Sequence, residues 1–127
     1  MSFAFEPRQG LVIVRAELAG PSGNGVFRLA LDTGATTTLI NVGLLVAIGY
    51  DPALAFDRVE VTTGSGIEFA PRLTISKITA LGTERFAFPV LCHTLPPSAG
   101  VDGVLGLDFL RGLVLTVDFC SGKMSLI

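Results

Sequence analysis

Apolar and polar residues alternate along much of this chain in the two-residue rhythm of β-strands. Leu11–Leu18 reads as a first strand, the turn cluster Gly20-Pro21-Ser22-Gly23-Asn24-Gly25 reverses it, and Val26–Leu31 returns as its hairpin partner. Thr36–Ile40 is β-branched and expected to be extended, and Val42–Gly49 is an apolar run suited to a short helix stopped by its glycine. Tyr50–Phe56 reads as a loop. Val59–Thr63 alternates again, and Gly64-Ser65-Gly66 then forms the tip of a second hairpin returning through Ile67–Ala70. Arg72–Thr79 and Phe86–Cys92 are further strands, with Pro96–Gly100 as a loop. Leu107–Gly112 is a short helix with Asp108 near its start, where the helix dipole favours an anion. Leu113–Phe119 and Met124–Ile127 close the chain as a hairpin around Ser121-Gly122-Lys123. The pattern predicts an all-β fold with few short helices, and no repeat or linker divides it.

Composition narrows the picture. The chain has 127 residues, half of them hydrophobic and only 16% charged, which is enough for one domain with a real core and argues against disorder. The mean hydropathy of +0.65 is high. The longest apolar stretch, Leu44–Ile48, falls far short of the ~20 residues that span a bilayer. An apolar surface covered by self-association accounts for the value better than a membrane segment. The net charge is −2 and the basic residues are scattered, so neither nucleic acid nor an anionic membrane is an expected partner. No apolar signal core follows Met1, and the expected location is cytoplasmic. Cys92 and Cys120 read as two buried thiols, and with one histidine they make no common zinc set, so no metal or cofactor is expected.

The candidate chemistry sits at Leu31-Asp32-Thr33-Gly34-Ala35-Thr36, an acid on a glycine-bearing turn directly after an apolar strand. An acid there is costly unless hydrogen bonds or chemistry compensate it. Two further features follow: Thr63-Gly64-Ser65-Gly66 about thirty residues later, and Val104-Leu105-Gly106 before a short helix about seventy residues later. In this order and spacing they resemble the retropepsin-like aspartic proteases, the single-domain family of retroviral proteases and their bacterial relatives, from about Leu11 to Phe119. The resemblance implies a closed β-barrel of the acid-protease type, built as a single domain over 1–127. Residues 1–10 would be an N-terminal arm, and residues 113–127 a C-terminal hairpin and candidate dimer interface.

It also implies roles. Asp32 would be the catalytic acid, supported by Thr33, Gly34, Ala35 and Thr36. Thr33 would bond across to a partner subunit, and Gly34 would donate its N–H to the carboxylate. Thr63, Gly64, Ser65 and Gly66 would form a flap over substrate, and Val104, Leu105 and Gly106 would back the catalytic loop. A lone exposed aspartate is simply ionised at neutral pH and has no proton to give, whereas two carboxylates close together share one. With one motif per chain, the resemblance implies a homodimeric endopeptidase acting on a peptide or protein substrate. Because the closing hairpin is longer than a single terminal strand, Ser2–Phe5 and Met124–Ile127 are the candidate strands for the dimer sheet.

Plainer readings stand beside these. Asp32-Thr33-Gly34 alone would suit a structural turn, and Gly64-Ser65-Gly66 an ordinary hairpin tip. A catalytically silent dimerisation or peptide-binding module on the same fold is the alternative function. Asp102-Gly103 reads as a turn, and Asp118 as an outward residue of its strand. Cys92 and His93, adjacent on a strand, point to opposite sides and so do not make a nucleophile–base pair. Gly20–Gly25 lacks the Gly-Lys-Ser/Thr ending of a phosphate loop. A nucleotide-binding α/β domain would need long helices that Val59–Leu91 does not offer.

Overall fold

The computed structural model describes residues 1–55, 57–63 and 66–127 (the Thr63 side chain excepted), and among them are ten strands and two short α-helices, including a strand at Gly103–Leu105 that the pattern did not predict. They are β1 (Phe3–Ala4), β2 (Ile13–Gly20), β3 (Gly23–Leu31), β4 (Leu39–Asn41), α1 (Val42–Ala47), β5 (Asp57–Thr63), β6 (Gly66–Ala80), β7 (Thr83–His93), β8 (Gly103–Leu105), α2 (Leu107–Leu110), β9 (Leu115–Asp118) and β10 (Lys123–Leu126). Six of them run β2-β3-β8-β4-β7-β6, and a β2–β6 pairing closes the ring into a barrel. This is the closed barrel that the resemblance implied. β5 lies outside it, paired to β6 alone as an edge strand.

Alternation fills the interior. On β2, Val14, Ala16 and Leu18 are buried while Arg15 and Glu17 face out. On β6 the inward set changes phase, from Leu73 and Ile75 to Ile78 and Ala80. The break falls at Ser76, which drops out of the β6–β7 ladder opposite Ala87, a residue at φ 49°. The Ser76 N–H donates instead to the Tyr50 hydroxyl (3.0 Å), while Tyr50 Oη–H and Ser76 Oγ–H both donate to the Ala19 carbonyl (2.6 and 3.0 Å). Here β6 turns the barrel's corner, from its pairing with β5 to its closing pairing with β2.

Several expectations need correction. The first turn is tighter than the cluster Gly20–Gly25, because β3 already begins at Gly23. Thr36–Ile40 is not one strand, since β4 starts at Leu39. Ile67–Ala70 and Arg72–Thr79 are not two strands but parts of one, β6, with Pro71 inside it opposite Arg58. Tyr50–Phe56 contains a 3₁₀ turn at Pro52–Leu54, entered through the Asp51 side chain. Asp102-Gly103 leads into β8: the Asp102 carboxylate accepts the Arg28 N–H (2.8 Å) and its carbonyl accepts the Asn41 N–H (2.8 Å). Cys92 is buried, its thiol pushed up to about 11 by desolvation, but Cys120 is exposed.

The terminal strands form a separate sheet in the order β1-β10-β9, so Met124–Ile127 sits largely in the centre of its own chain's sheet rather than on a free edge. Phe5 meets Phe119 edge to face, with ring centroids 5.5 Å apart. Asp118 is exposed and caps the β9–β10 turn. The Ser121 hydroxyl, then the Ser121 and Cys120 N–H groups, hold its carboxyl below the usual range. Among the described residues, no helix is long and apolar enough to cross a membrane.

Candidate active site

β3 runs parallel to β8, with Leu31 opposite Leu105, and delivers the chain to Asp32. The Asp32 N–H donates to the Leu105 carbonyl (3.0 Å), fixing where the strand stops and the turn begins. Within the turn, the Gly34 N–H donates to Asp32 Oδ1 (2.8 Å), and the Ala35 N–H to the Asp32 carbonyl (3.2 Å). A Cβ at Gly34 would stand 3.1 Å from Asp32 Oδ1, so glycine lets the backbone approach the acid. Asp32, Thr33 and Gly34 are exposed, and the Thr33 hydroxyl has no partner among the described residues.

Behind the turn, β8 and α2 form a close backing. The Leu107 N–H donates to the Ala35 carbonyl (2.8 Å). A Cβ at Gly106 would stand 2.8 Å from that carbonyl oxygen and 2.9 Å from the Thr37 carbonyl carbon, both backbone atoms, so only glycine fits. Phe109 is fully buried beneath α2 and packs edge to face on Phe88. Arg85 lies over the Phe109 ring at 5.5 Å and donates to the carbonyls of Phe109 and Arg111, satisfying the end of the helix.

A cleft of about 730 Å³ opens in front of Asp32. Asp32, Gly34, Ala35, Thr36 and Thr37 line its floor, Leu39, Leu91 and Val104 one wall, and Val59–Thr62 of β5 the facing side. The fold thus gathers Asp32, Gly34, Ala35, Thr36 and Val104 into one cleft, with Leu105 and Gly106 buried behind it. Thr33 is next to the acid but does not line the cleft. Of the flap residues, Thr63 pairs with Gly66, and Gly66 adopts φ 122°. Gly64 and Ser65 lie outside the described residues.

The sequence reading missed Leu39, Leu91 and the β5 side of the cleft. The alternating Val59 and Val61 on a strand leading to a glycine tip were the available signal. It also missed the Thr38–Asp108 link. Thr38 is the one fully buried polar side chain among the described residues. Its hydroxyl donates to Asp108 Oδ1 (2.7 Å) and accepts the Gly106 N–H (3.1 Å). Among the described residues, no group of three His, Cys, Asp or Glu side chains is placed to hold a metal ion.

No curated protein matches the sequence. A solved structure of a retropepsin-like aspartic protease from Rickettsia conorii shares the fold at a TM-score of 0.68 and 17% identity, over 99% of this chain and 88% of that one. The family model described as "gag-polyprotein putative aspartyl protease" matches residues 22–112. With its acid turn, its glycine-backed β8–α2 segment and its six-stranded barrel, the chain belongs to this retropepsin-like aspartic protease family.

Proposed function

We propose that the protein is an aspartic endopeptidase that works as a homodimer, each subunit contributing its Asp32 to one shared dyad. The observation that carries this reading is the Asp32 turn itself. It offers one exposed carboxylate, oriented by the Gly34 N–H and braced from behind, at the foot of an open cleft. The sequence contains one Asp-Thr-Gly, so a second acid has to come from a second copy.

In such a pair, repulsion keeps one proton on the two carboxylates. The ionised member takes a proton from a water held between them, and the protonated member donates to the carbonyl of the scissile amide. Water oxygen bonds to the carbonyl carbon, giving a tetrahedral intermediate. The intermediate collapses as the amine nitrogen is protonated and the C–N bond breaks. The resting charge state of the pair returns and no covalent enzyme intermediate forms. Thr33, exposed and without a partner among the described residues, is suited to bond across the two-fold axis. A substrate in extended conformation would lie between the Asp32 floor and β5, whose outer edge is unpaired among the described residues. The terminal sheet and residues 113–127 are the proposed surface for the partner.

Asp32→Asn tests this. It is expected to abolish cleavage of a mixed peptide library while the dimer mass in sedimentation is kept. Cleavage that persists in this variant rejects the assignment. A wild-type dimer that binds peptides without cutting them favours the silent binding module.

A further inference from the structure

We infer that Asp108 is a positioning residue for Asp32, acting through Thr38. This rests on the proposed proteolytic reading of the same site and extends it to two residues that never touch the cleft.

The arrangement carries a desolvation cost. Asp108 is partly buried, and Thr38 completely so. Withdrawing a carboxylate from water is expensive unless donors replace the lost hydration. Here three do: the Thr38 N–H lies 3.0 Å from each carboxylate oxygen, the Thr38 hydroxyl 2.7 Å from Oδ1, and the Phe109 N–H 2.9 Å from Oδ1. The Thr38 hydroxyl has one hydrogen and gives it to Asp108. Its lone pairs then face the Gly106 N–H, which donates to it at 3.1 Å. The direction of every bond in this chain is therefore fixed.

These bonds clamp one end of the segment that carries the acid. The other end is held where the Asp32 N–H meets the Leu105 carbonyl, and the middle where the Ala35 carbonyl accepts the Leu107 N–H. Among the described residues, the Asp32 carboxylate bonds only within its own turn, to the Gly34 N–H. Its placement is inherited from the loop, and the loop's far end is set by Asp108. Charge-assisted bonds are short and directional, so a carboxylate holds that end more tightly than an amide or an apolar side chain. Because a shift on the scale of an ångström at a reacting group is costly, the predicted signature is a loss in kcat with little change in KM.

The test compares Thr38→Val, Thr38→Ser and Asp108→Asn. Thr38→Val keeps the shape of the side chain but removes the hydroxyl, and it is expected to lower kcat about tenfold or more with KM within about twofold. Thr38→Ser keeps the hydroxyl and is expected to restore most of the rate. Asp108→Asn should fall between them, and its effect should not add to that of Thr38→Val. The second readout needs no turnover: the NMR resonance of the Gly34 amide, whose N–H is bonded to Asp32 Oδ1. It should move in Thr38→Val and Asp108→Asn and stay in Thr38→Ser. If Asp108→Asn does not fold, the two Thr38 variants decide. Folded variants with unchanged kcat and an unmoved Gly34 resonance overturn the inference. So does a loss of rate that vanishes when activity is expressed per folded dimer. A protein that cleaves no peptide defeats the proteolytic reading, and the Gly34 resonance still decides the positioning claim.

Discussion

The two sides of the cleft are built on opposite plans. The floor is held from several directions: Asp32 by Leu105, Ala35 by Leu107, and Thr38 by Asp108 and by its carbonyl's bond from the Leu91 N–H (2.9 Å). The facing side, β5, is an edge strand paired only to β6. Near it the side-chain ties are the exposed pair Arg72–Asp57 at 3.4 Å and the pair of half-buried His93 with exposed Glu68 at 3.1 Å, and β6 presents Ile67 and Phe69 more than 60% exposed. Groups that perform chemistry gain from being fixed before substrate arrives. A strand that must let an extended chain enter gains from few buried contacts. Substitutions in this barrel are therefore expected to be felt most at the floor and least at β5.

The largest effect is expected at the backing of the floor. Gly106→Ala drives a methyl into the backbone of Ala35 and Thr37, and is expected to destabilise the fold by about 2–3 kcal/mol and to abolish cleavage. A denaturant midpoint equal to that of the wild type would show that the backing is looser than described. A smaller effect separates barrel from terminal sheet. Cys120 should react with a thiol reagent in the native protein, whereas Cys92 should react only after unfolding. The sign with pH follows from the raised Cys92 value. The unfolded chain gives up this proton near pH 9 and the folded chain near 11, so the thiol's contribution opposes folding as pH rises through that window. Two equally fast thiols would contradict the placement of Cys92. The smallest effect is expected on the β5–β6 side. Glu68→Gln removes a partly exposed pair with His93, and should change stability by less than about 0.5 kcal/mol in thermal melts. A loss of several times that would make β5–β6 as firmly held as the floor.

Much of this was legible in the residues. The alternation of Val14, Ala16 and Leu18 fixes which face of β2 is inside, and the Asp32 turn and the Val104-Leu105-Gly106 triplet announce themselves by composition. The barrel's corner was not legible. Leu73, Ile75, Ile78 and Ala80 change phase because Ser76 leaves the ladder for Tyr50, a partner supplied from a distant loop. Ile67–Ala70 and Arg72–Thr79 read as two strands for a related reason: pairing along its length joins them, with Pro71 between, into the single long β6. Asp108 reads locally as a residue favouring a helix start, and only tertiary structure brings it to Thr38, seventy positions away. The place of β10 in the centre of its sheet likewise depends on β1 returning from the other end of the chain.

The proposed dyad requires two copies of Asp32. It is tested most directly by refolding wild-type protein with an equal amount of the Asp32→Asn variant, at concentrations where both are dimeric. If each active centre needs an intact acid from both subunits, random pairing cuts the activity per wild-type chain to about one half of that of the wild type alone. Activity per wild-type chain that is unchanged by the mixing would mean that a single subunit carries a complete site, and would contradict the account.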